Sequence, residues 1–382
     1  KMSNSKLSKF LDENNLSTPC LVMDLSVIDK SYKQMTNLFP KTKIYYAVKA
    51  NSAPKIIDCL NNNGSYFDVS SKKEIQICLK QSVDPHNMSF GNTVKKQKDI
   101  IWAYKNGIRL FAFDSEEELK KLYKNAPRSR VFCRLQVDNH GANWPLSKKF
   151  GCSPDMAKDL MLEAKNKGLK PAGLSFHVGS QQINIERWID ALKTCHKVYL
   201  YLRKHNVKLE FLNIGGGFPV SYKDYNSDLS IFAKKLYTEI KNIFGEDHPS
   251  IIMEPGRYLV AEAGIIETEV ILVSKKNKND EIRWVYIDIG RFSGLAETEN
   301  EAIKYKIIPS KNDERSKTGP VIIAGPSCDG ADIIYEKNNY KLPLSLKTGD
   351  KLRILGVGAY TSVYVSNFNA LKTLKEYYLD IT

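Results

Sequence analysis

Short apolar runs alternate with longer stretches of mixed apolar and polar residues along the first two-thirds of the chain. The apolar runs are rich in β-branched and aromatic residues, which favour strands, whereas the longer stretches repeat their apolar residues at helical spacing. Because parallel strands joined by helices give this alternation, the pattern predicts eight βα units. The predicted strands are Ile44–Val48, Tyr66–Val69, Met88–Phe90, Leu110–Phe113, Val131–Leu135, Gly173–Phe176, Phe211–Ile214 and Ile251–Met253. The predicted helices between them include Lys72–Lys80, Lys95–Asn106, Glu116–Lys124, Met156–Lys167, Ile185–His205 and Leu229–Phe244.

The pattern changes after residue 264, where strand-like runs follow one another with few helices between them. An early apolar run, Pro19–Met23, is expected to return and pair with this later β-domain. The predicted α/β fold is a (β/α)8 TIM barrel at 26–264 plus a C-terminal β-domain, a β-sandwich or Greek-key barrel, built from 1–25 and 265–382. The predicted strands of the β-domain are Ile265–Val273, Arg283–Ile289, Val321–Ile323 and Lys351–Leu355.

The composition is that of a globular protein, and its charge changes this picture little. The chain has 382 residues, of which 42% are hydrophobic and 26% are charged, and no run approaches the length of a membrane span. The formal net charge is +14, but the lysines are spread along the whole chain. The longest basic-polar cluster, Lys275–Lys278, has the character of a hairpin tip. Because no basic helix carries interleaved aromatic residues, we expect neither nucleic acid nor membrane as a partner.

The cysteines and the start of the chain favour a cytoplasmic protein. The seven cysteines are scattered and include no Cys-x-x-Cys pair, which favours reduced thiols over disulfides or a metal site. The first six residues, Lys1–Lys6, lack the apolar core of a secretory signal.

Each predicted strand of the barrel ends in a polar or glycine residue. Chemistry in such barrels is concentrated at the carboxyl ends of the strands, whereas a doubly wound sheet would collect its polar residues at one crevice. Lys49 is the most informative of them, because a lysine partly withdrawn from water supplies a free amine for Schiff-base chemistry. A lysine that extends to solvent from a strand end is the alternative. The strand-end residues are Lys49, Asp68, Gly91-Asn92, Asp114, Arg134, His177, Gly215-Gly216-Gly217 and Glu254.

Two motifs after the last two strands predict a phosphate site. The glycine triplet Gly215–Gly217 lets backbone N–H groups approach an anion, although a tight turn is the alternative. Glu254-Pro255-Gly256-Arg257 follows the eighth strand, and barrels commonly bind phosphate between their seventh and eighth loops. His177 is either a ring-stacking residue or a hydrogen-bonded structural one. A lysine, a phosphate cradle and an acid together meet the needs of pyridoxal 5′-phosphate.

Seven motifs, taken in order, resemble those of the alanine-racemase-type (fold type III) pyridoxal-phosphate enzymes. They are most similar to the ornithine/diaminopimelate/arginine decarboxylase family. The segments 143–147 and 284–298 are similar to bacterial ornithine or lysine/ornithine decarboxylases. The motifs are Tyr46–Asn51, Phe67–Ser70, His177–Gln181, Gly215–Pro219, Glu254–Arg257, Gly325–Gly330 and Gly358–Thr361.

The resemblance implies a role for each barrel residue. Lys49 would form the Schiff base with the cofactor aldehyde, and Asp68 and Arg134 would form a polar network beside it. His177 would stack on the cofactor ring, and Glu254 would pair with the ring nitrogen. The phosphate would be held by Ser180, Gly217, Gly256, Arg257 and Tyr360, with Gly215 and Gly216 in the same loop.

The resemblance also implies a homodimer with shared active sites. Cys328 and Asp329 would enter from the partner subunit, Cys328 as the proton donor at the α-carbon and Asp329 as the partner of a distal amine. Thiol and carboxylate chemistry suit these tasks. Glu297 is the candidate for a second acid near the distal amine, with Glu299 and Glu301 as alternatives. The other interpretation is that all three are solvent-exposed acids of a helix.

The run Cys328–Asp332 resembles that of ornithine-type enzymes, which implies L-ornithine as the basic amino-acid substrate and putrescine, a precursor in polyamine biosynthesis, as the product. Phe368 is a candidate wall of the substrate pocket. Lysine, or both amino acids, is the main alternative, because one methylene changes binding by only about 1–3 kcal/mol. A diaminopimelate decarboxylase, an amino-acid racemase and a non-catalytic regulatory relative are further alternatives.

Overall fold

The computed structural model describes residues 6–145, 148–311 and 316–382, so Lys1–Ser5 and two residues of the 143–147 segment, Leu146 and Ser147, lie outside it. The helices are α1 Lys6–Glu13, α2 Leu25–Leu38, α3 Pro54–Asn62, α4 Lys72–Lys80, α5 Gln97–Lys105, α6 Glu116–Asn125, α7 Pro154–Asn166, α8 Glu186–Lys204, α9 Leu229–Phe244 and α10 Arg257–Val260. The strands are β1 Cys20–Asp24, β2 Lys43–Ala47, β3 Tyr66–Val69, β4 Met88–Phe90, β5 Leu110–Phe113, β6 Arg130–Arg134, β7 Ala142–Trp144, β8 Lys170–Ser175, β9 Ser180–Gln182, β10 Phe211–Asn213, β11 Ser250–Met253, β12 Gly264–Ser274, β13 Arg283–Ile287, β14 Lys306–Pro309, β15 Thr318–Ala324, β16 Ile333–Tyr335, β17 Lys341–Pro343, β18 Lys351–Leu355 and β19 Lys375–Leu379.

The chain divides into two compact units. The first, which we call the barrel, comprises Asp29–Pro219 and Ser227–Leu259. The second, which we call the β-domain, comprises the described residues of Lys1–Ile28, Val220–Asn226 and Val260–Thr382. Across the described residues, none of the helices is both long enough and apolar enough to span a membrane.

The barrel is closed by the eight parallel strands β2, β3, β4, β5, β6, β8, β10 and β11, with β11 pairing back onto β2. The predicted TIM barrel is therefore confirmed. Side chains alternate between the two faces of a strand, and one set fills the barrel interior. Phe132 on β6 and Phe211 on β10 meet there in a T-shaped contact, with ring centroids 5.7 Å apart. The interior residues are Tyr45, Leu110, Ala112, Phe132, Ala172, Phe211 and Ile252.

The helices begin where the sequence supplies a cap. Ser71 caps α4 by accepting the Glu74 N–H at 3.2 Å, and Ser115 caps α6 in the same way through Glu118. Helix α5 begins at Gln97, two residues later than predicted, because the Lys95 side chain is buried in contacts outside the helix. Its fully buried amine donates to the carbonyls of Asn92 at 2.7 Å and Ala112 at 2.6 Å and lies 3.1 Å from Glu118.

The β-domain is formed by both ends of the chain, as predicted. Its sheet contains nine strands in the described part of the chain, and β1 lies between β12, which it pairs with antiparallel, and β19, which it pairs with in parallel. Strand β19 was not among the predicted strands. Its formation depends on pairing with β1 at the opposite end of the sequence, which local patterning does not report. Burial of Leu7, Leu11, Val22, Ile265 and Leu355 in one apolar cluster holds these distant segments together.

Candidate active site

Lys49 lies in a tight turn at the end of the first barrel strand. Strand β2 ends at Ala47, and Val48–Ala50 form a short 3-10 turn, so the lysine follows the strand rather than ending it as predicted. The turn is fixed by the Tyr46 hydroxyl, which donates to the Asn51 carbonyl at 2.7 Å, and by the Ala47 N–H, which donates to Pro255 O at 3.0 Å. Val48 and Ala50 are buried, whereas Lys49 is only partly buried. The Lys49 side chain is therefore partly exposed at this turn, and its charge acts on the buried Asp68 and His177.

Asp68 and Glu254 form a pair of carboxyl groups at the ends of β3 and β11. Burial raises the pKa of Asp68 well above its usual range, the nearby Glu254 carboxylate raises it further, and the positive charge of Lys49 opposes both effects. The Oδ1 atom of Asp68 is buried and has no hydrogen-bond partner among the described residues. A side chain at Gly91 would overlap that same oxygen. Gly91 is therefore required here because it leaves room for Asp68.

Asn213 positions Glu254, and the sequence interpretation missed it. Its side-chain Nδ2 donates to Glu254 Oε1 at 2.6 Å, and its Oδ1 accepts the Gly215 N–H at 3.0 Å. Asn213 follows the interior residue Phe211 by two positions, so strand alternation directs it toward the interior as well. Applying that period to each strand end would have identified it. One amide thus couples the acid of β11 to the start of the glycine loop.

The Asn213→Ala variant is expected to lower kcat/KM roughly 10- to 100-fold, because a hydrogen bond to a charged group contributes about 1.5–3 kcal/mol. Steady-state kinetics would measure the loss. Asn242→Ala is the matched control, because Asn242 also faces a glutamate, Glu239, but on the exposed surface of α9 at 3.5 Å. Equal activities of the two variants would show that Glu254 does not depend on Asn213.

His177 is held as a neutral imidazole. Its Nδ1 accepts the Gly179 N–H at 3.0 Å, which leaves the proton on Nε2. Burial lowers the pKa of His177 well below its usual value, and the positive charges of Lys49 and Arg134 lower it further. Asn139 donates to the His177 carbonyl at 2.9 Å and fixes the backbone. The ring is therefore uncharged and oriented at neutral pH.

Arg134 lies at the end of β6 among acidic groups. Desolvation lowers the pKa of its guanidinium, and the negative charges of Glu254, Asp114 and Asp68 oppose that effect. The guanidinium carbon lies 4.7 Å from the centre of the Phe150 ring. Asp114 in turn accepts the Gly151 N–H at 2.7 Å. Asp68 is thus close enough to interact electrostatically with both Lys49 and Arg134, the two other members of the predicted network.

The glycine triplet packs tightly against the neighbouring loops. Gly215 and Gly217 have positive φ values of 71° and 85°, which favour glycine. A side chain on Gly215 would overlap the Phe176 carbonyl, one on Gly216 the Glu254 carbonyl, and one on Gly217 the Gly179 carbonyl. All three glycines are therefore needed for the loops after β8, β10 and β11 to meet.

A positive charge lies buried beside this junction. Arg257, 3% exposed, directs Nε and Nη2 to the Ser180 hydroxyl at 3.2 and 3.0 Å. Ser180 follows Gly179, which packs against Gly217. Gly256 precedes Arg257, and its carbonyl accepts the Leu259 N–H at 3.1 Å. A guanidinium, a hydroxyl and backbone close to glycine suit a phosphate group.

These barrel residues fit a phosphorylated pyridine aldehyde. Such a group explains both the buried Asp68 oxygen, which has no hydrogen-bond partner among the described residues, and the positive charge of Arg257 beside the glycine loop. Lys49 would bind its aldehyde, Glu254 its ring nitrogen, and Ser180 and Arg257 its phosphate. The fold and this set of residues define a barrel enzyme that uses pyridoxal 5′-phosphate.

The candidate substrate residues lie in the β-domain. Cys328 is exposed, and its N–H donates to the Asn369 side chain at 2.8 Å. Phe368 is 43% exposed and packs against Phe292, with ring centroids 5.3 Å apart. Tyr360, the phosphate candidate of the same domain, has a positive φ of 54°, a strained conformation for a tyrosine. Asn369, which the sequence interpretation did not identify, therefore ties the Cys328 loop to the Phe368 turn.

The three acids of the 3-10 segment Ala296–Glu301 have different surroundings. Glu299 is exposed and lies 3.5 Å from Arg291 Nη2. The Glu301 carboxylate accepts a hydrogen bond from the backbone N–H of Lys337 at 3.0 Å. Glu297 is 2% exposed. Its role at the distal amine remains a prediction, as do those of the other assigned residues.

Comparison with known proteins agrees with this geometry. Residues 25–261 match the model of the pyridoxal-dependent decarboxylase, pyridoxal binding domain. The lysine/ornithine decarboxylase of Selenomonas ruminantium is 32% identical over 93% of this chain and 88% of that protein. The chloroplastic ornithine decarboxylase of Nicotiana glutinosa is 30% identical over 93% and 82%. The solved arginine decarboxylase of Paramecium bursaria Chlorella virus, bound to agmatine, superimposes with a TM-score of 0.90 at 27% identity, over 98% of this chain and 99% of that one.

The chain therefore belongs to the pyridoxal-dependent decarboxylase family that acts on basic amino acids. Its cofactor is pyridoxal 5′-phosphate. The similar proteins differ in substrate, with lysine, ornithine and arginine all represented.

Proposed function

We propose that this enzyme decarboxylates L-ornithine to putrescine in polyamine biosynthesis, in the cytoplasm. The observation that carries the choice of ornithine is the pair Cys328-Asp329, an exposed thiol followed by a short acid in one loop of the β-domain. A short acid suits the distal amine of a diamino acid as a charge-assisted partner. The six other cysteines are buried, free thiols, which agrees with a reducing compartment.

The barrel residues divide the work of binding and activation. Pyridoxal phosphate supplies an aldehyde that binds the substrate amine and a ring that accepts electrons from the α-carbon. Lys49 provides the amine that holds the cofactor in the resting enzyme. Arg134 and Asp68 form a polar network beside that amine. Glu254, positioned by Asn213, keeps a proton on the ring nitrogen. His177, neutral and oriented by Gly179, presents its ring face without adding charge.

The phosphate and the substrate use further residues. We propose that Ser180, Gly217, Gly256, Arg257 and Tyr360 hold the phosphate. The partner copy of the chain supplies its own Cys328 and Asp329, so the working enzyme is a homodimer. Cys328 donates the proton that replaces the lost carboxylate, and Asp329 binds the distal amine. Glu297 is the second acid for that amine, because it is the most buried of the three acids of its segment, at 2% exposed. Phe368 lines the aliphatic part of the substrate.

The test of this function is CO₂ release from ornithine, lysine, arginine and diaminopimelate by the purified holoenzyme. We expect the highest kcat/KM with ornithine, and lysine within about 10- to 200-fold, since the two differ by one methylene. Analysis of the amine product identifies the reaction, and chiral analysis of recovered substrate excludes racemisation. Absence of CO₂ from all four amino acids would overturn the proposal.

A dual lysine/ornithine decarboxylase is the second candidate. The observation that favours it is the 32% identity to a protein of that name over 93% of the chain. Equal kcat/KM values for lysine and ornithine in the same assay would select it, with cadaverine as the additional product.

A further inference from the structure

Asp332 is a buried carboxylate at the end of the loop that carries Cys328 and Asp329. It is 3% exposed, and both of its oxygens accept backbone N–H groups. Oδ1 accepts from Arg291 at 2.8 Å, and Oδ2 accepts from Ser327, the residue before Cys328, at 3.1 Å. One side chain therefore joins two segments about forty residues apart in sequence.

The surroundings of Asp332 are closely packed. A side chain at either Gly290 or Gly325 would overlap its Oδ1 atom. Its main chain also closes the loop, because the Gly325 N–H donates to Asp332 O at 2.8 Å and the Asp332 N–H donates to Asp329 O at 3.0 Å. Cys328 and Asp329 thus lie within a loop that residue 332 closes through both backbone and side chain.

Arg291 extends this connection to the acidic 3-10 segment. Its Nη1 donates to the Ala331 carbonyl at 2.6 Å, and its Nη2 lies 3.5 Å from Glu299 Oε1. The preceding residue, Gly290, accepts the Leu295 N–H at 2.9 Å, which closes the turn leading to Ala296–Glu301. The Cys328 loop and the segment that carries Glu297 are therefore held through Asp332 and Arg291.

We propose that Asp332 is a positioning residue for decarboxylation, one that fixes the Cys328–Asp329 loop on the Gly290–Arg291 turn. The proposal rests on the proposed function for its catalytic consequence. A charged carboxylate with two amide donors holds a loop more firmly than a neutral group does. The thiol then meets the α-carbon, and Asp329 and Glu297 keep a fixed spacing along the substrate. Arg291 acts with Asp332 as the link to the acidic segment.

The first test compares the wild-type holoenzyme with Asp332→Asn. We expect kcat for CO₂ release to fall about 10- to 100-fold, since two charge-assisted hydrogen bonds are weakened. The misplaced proton should also raise the fraction of turnovers that convert the cofactor to its amine form. Asp280→Asn is the control, because Asp280 also accepts a backbone N–H, from Asn277 at 2.8 Å, in a turn of the same domain. An unchanged kcat and product ratio in Asp332→Asn, with an active wild type, would overturn the proposal.

A second test separates positioning from general structural support. If Asp332 acts through Cys328, the Cys328→Ala/Asp332→Asn double variant should lose little more activity than Cys328→Ala alone. If the activity loss of the double variant instead equals the product of the two single losses, Asp332 has an independent structural role and the proposal is rejected. If Asp332→Asn does not fold, Arg291→Ala is the alternative variant. It keeps the hydrogen bond from the backbone N–H of residue 291 to Asp332 and removes only the side-chain contacts to Ala331 and Glu299. Arg291→Ala should alter the ratio of the KM values for lysine and ornithine. An unchanged ratio would show that Arg291 does not connect the Cys328 loop to the acidic segment.

Hydrogen exchange of the cofactor-free protein gives a readout without activity. Peptides that contain Ser327 and Arg291 should exchange faster in Asp332→Asn, while peptides from the barrel stay unchanged. Exchange that is unchanged at both amides would contradict the anchoring role of Asp332. If the wild type lacks activity but the exchange difference appears, the function proposal fails and the anchoring stands.

Discussion

Replacing Lys49 by alanine is expected to reduce decarboxylation by roughly a thousandfold or more, the largest loss of any single change in this chain. Covalent attachment of the cofactor needs an amine, and the side chain that replaces it has none. The Val48–Ala50 turn and its hydrogen bonds from Tyr46 and Ala47 do not involve the lysine side chain, so the fold should be retained. Absorbance of the purified holoprotein would show loss of the Schiff base, and CO₂ release would show loss of turnover.

Lys43→Ala is the matched control for this prediction. Lys43 begins β2, the strand that leads to the Lys49 turn, at the opposite end of the barrel, and its ammonium lies 5.3 Å from the centre of the Tyr66 ring. The Lys43→Ala variant also removes one lysine charge, yet should leave turnover and absorbance near wild type. An active Lys49→Ala enzyme with a normal absorbance spectrum would mean that another residue binds the cofactor.

Replacing Cys328 by alanine is expected to lower amine formation by about a hundredfold while leaving cofactor binding intact, because general acid catalysis contributes about 10²- to 10⁴-fold. Without the thiol, more of the protons should arrive at the wrong carbon, which converts the cofactor to its amine form. Quantifying the diamine product and that form of the cofactor together measures both effects. Cys59→Ala removes a buried thiol from α3 and should change neither. A normal product ratio in Cys328→Ala would assign the proton donor elsewhere.

Mixing the two inactive variants tests whether the site is shared between subunits. If the site is shared, a dimer of one Lys49→Ala and one Cys328→Ala chain contains one site with both changes and one with neither. Random exchange of subunits should then restore roughly a quarter of wild-type activity. If the mixture stays inactive although subunits exchange, both residues act within one chain.

Much of the barrel could be predicted from local pattern, and the exceptions have specific causes. Strands such as Tyr66–Val69 and Leu110–Phe113 were predicted with their observed bounds, because apolar runs bounded by turns give a strong local signal. Helix α5 begins late because Lys95 is buried against Glu118, a partner on the next helix. Strand β19 depends on β1 at the other end of the chain. Neither partner is visible in a local window.

The site divides in the same way. The sequence supplied residue types with identifiable chemistry, such as the amine of Lys49, the acid Glu254 and the thiol of Cys328. It did not reveal the side chains whose work is to hold others. Asn213 holds Glu254, and Asn369 supports the loop of Cys328. An amide in a strand or turn has many ordinary uses, so its residue type alone predicts no role.

The sequence by itself determined the alternation of strands and helices, the reactive groups at the strand ends and the family motifs. The tertiary structure decided the pairing of β1 with β19, the pKa values of Asp68 and His177, and the two-sided anchoring of Asp332. Alternation and residue chemistry are local properties, so a short window of sequence contains them. Burial, electrostatic coupling and hydrogen bonds between distant residues depend on which segments folding brings together, and only the folded chain specifies those distances.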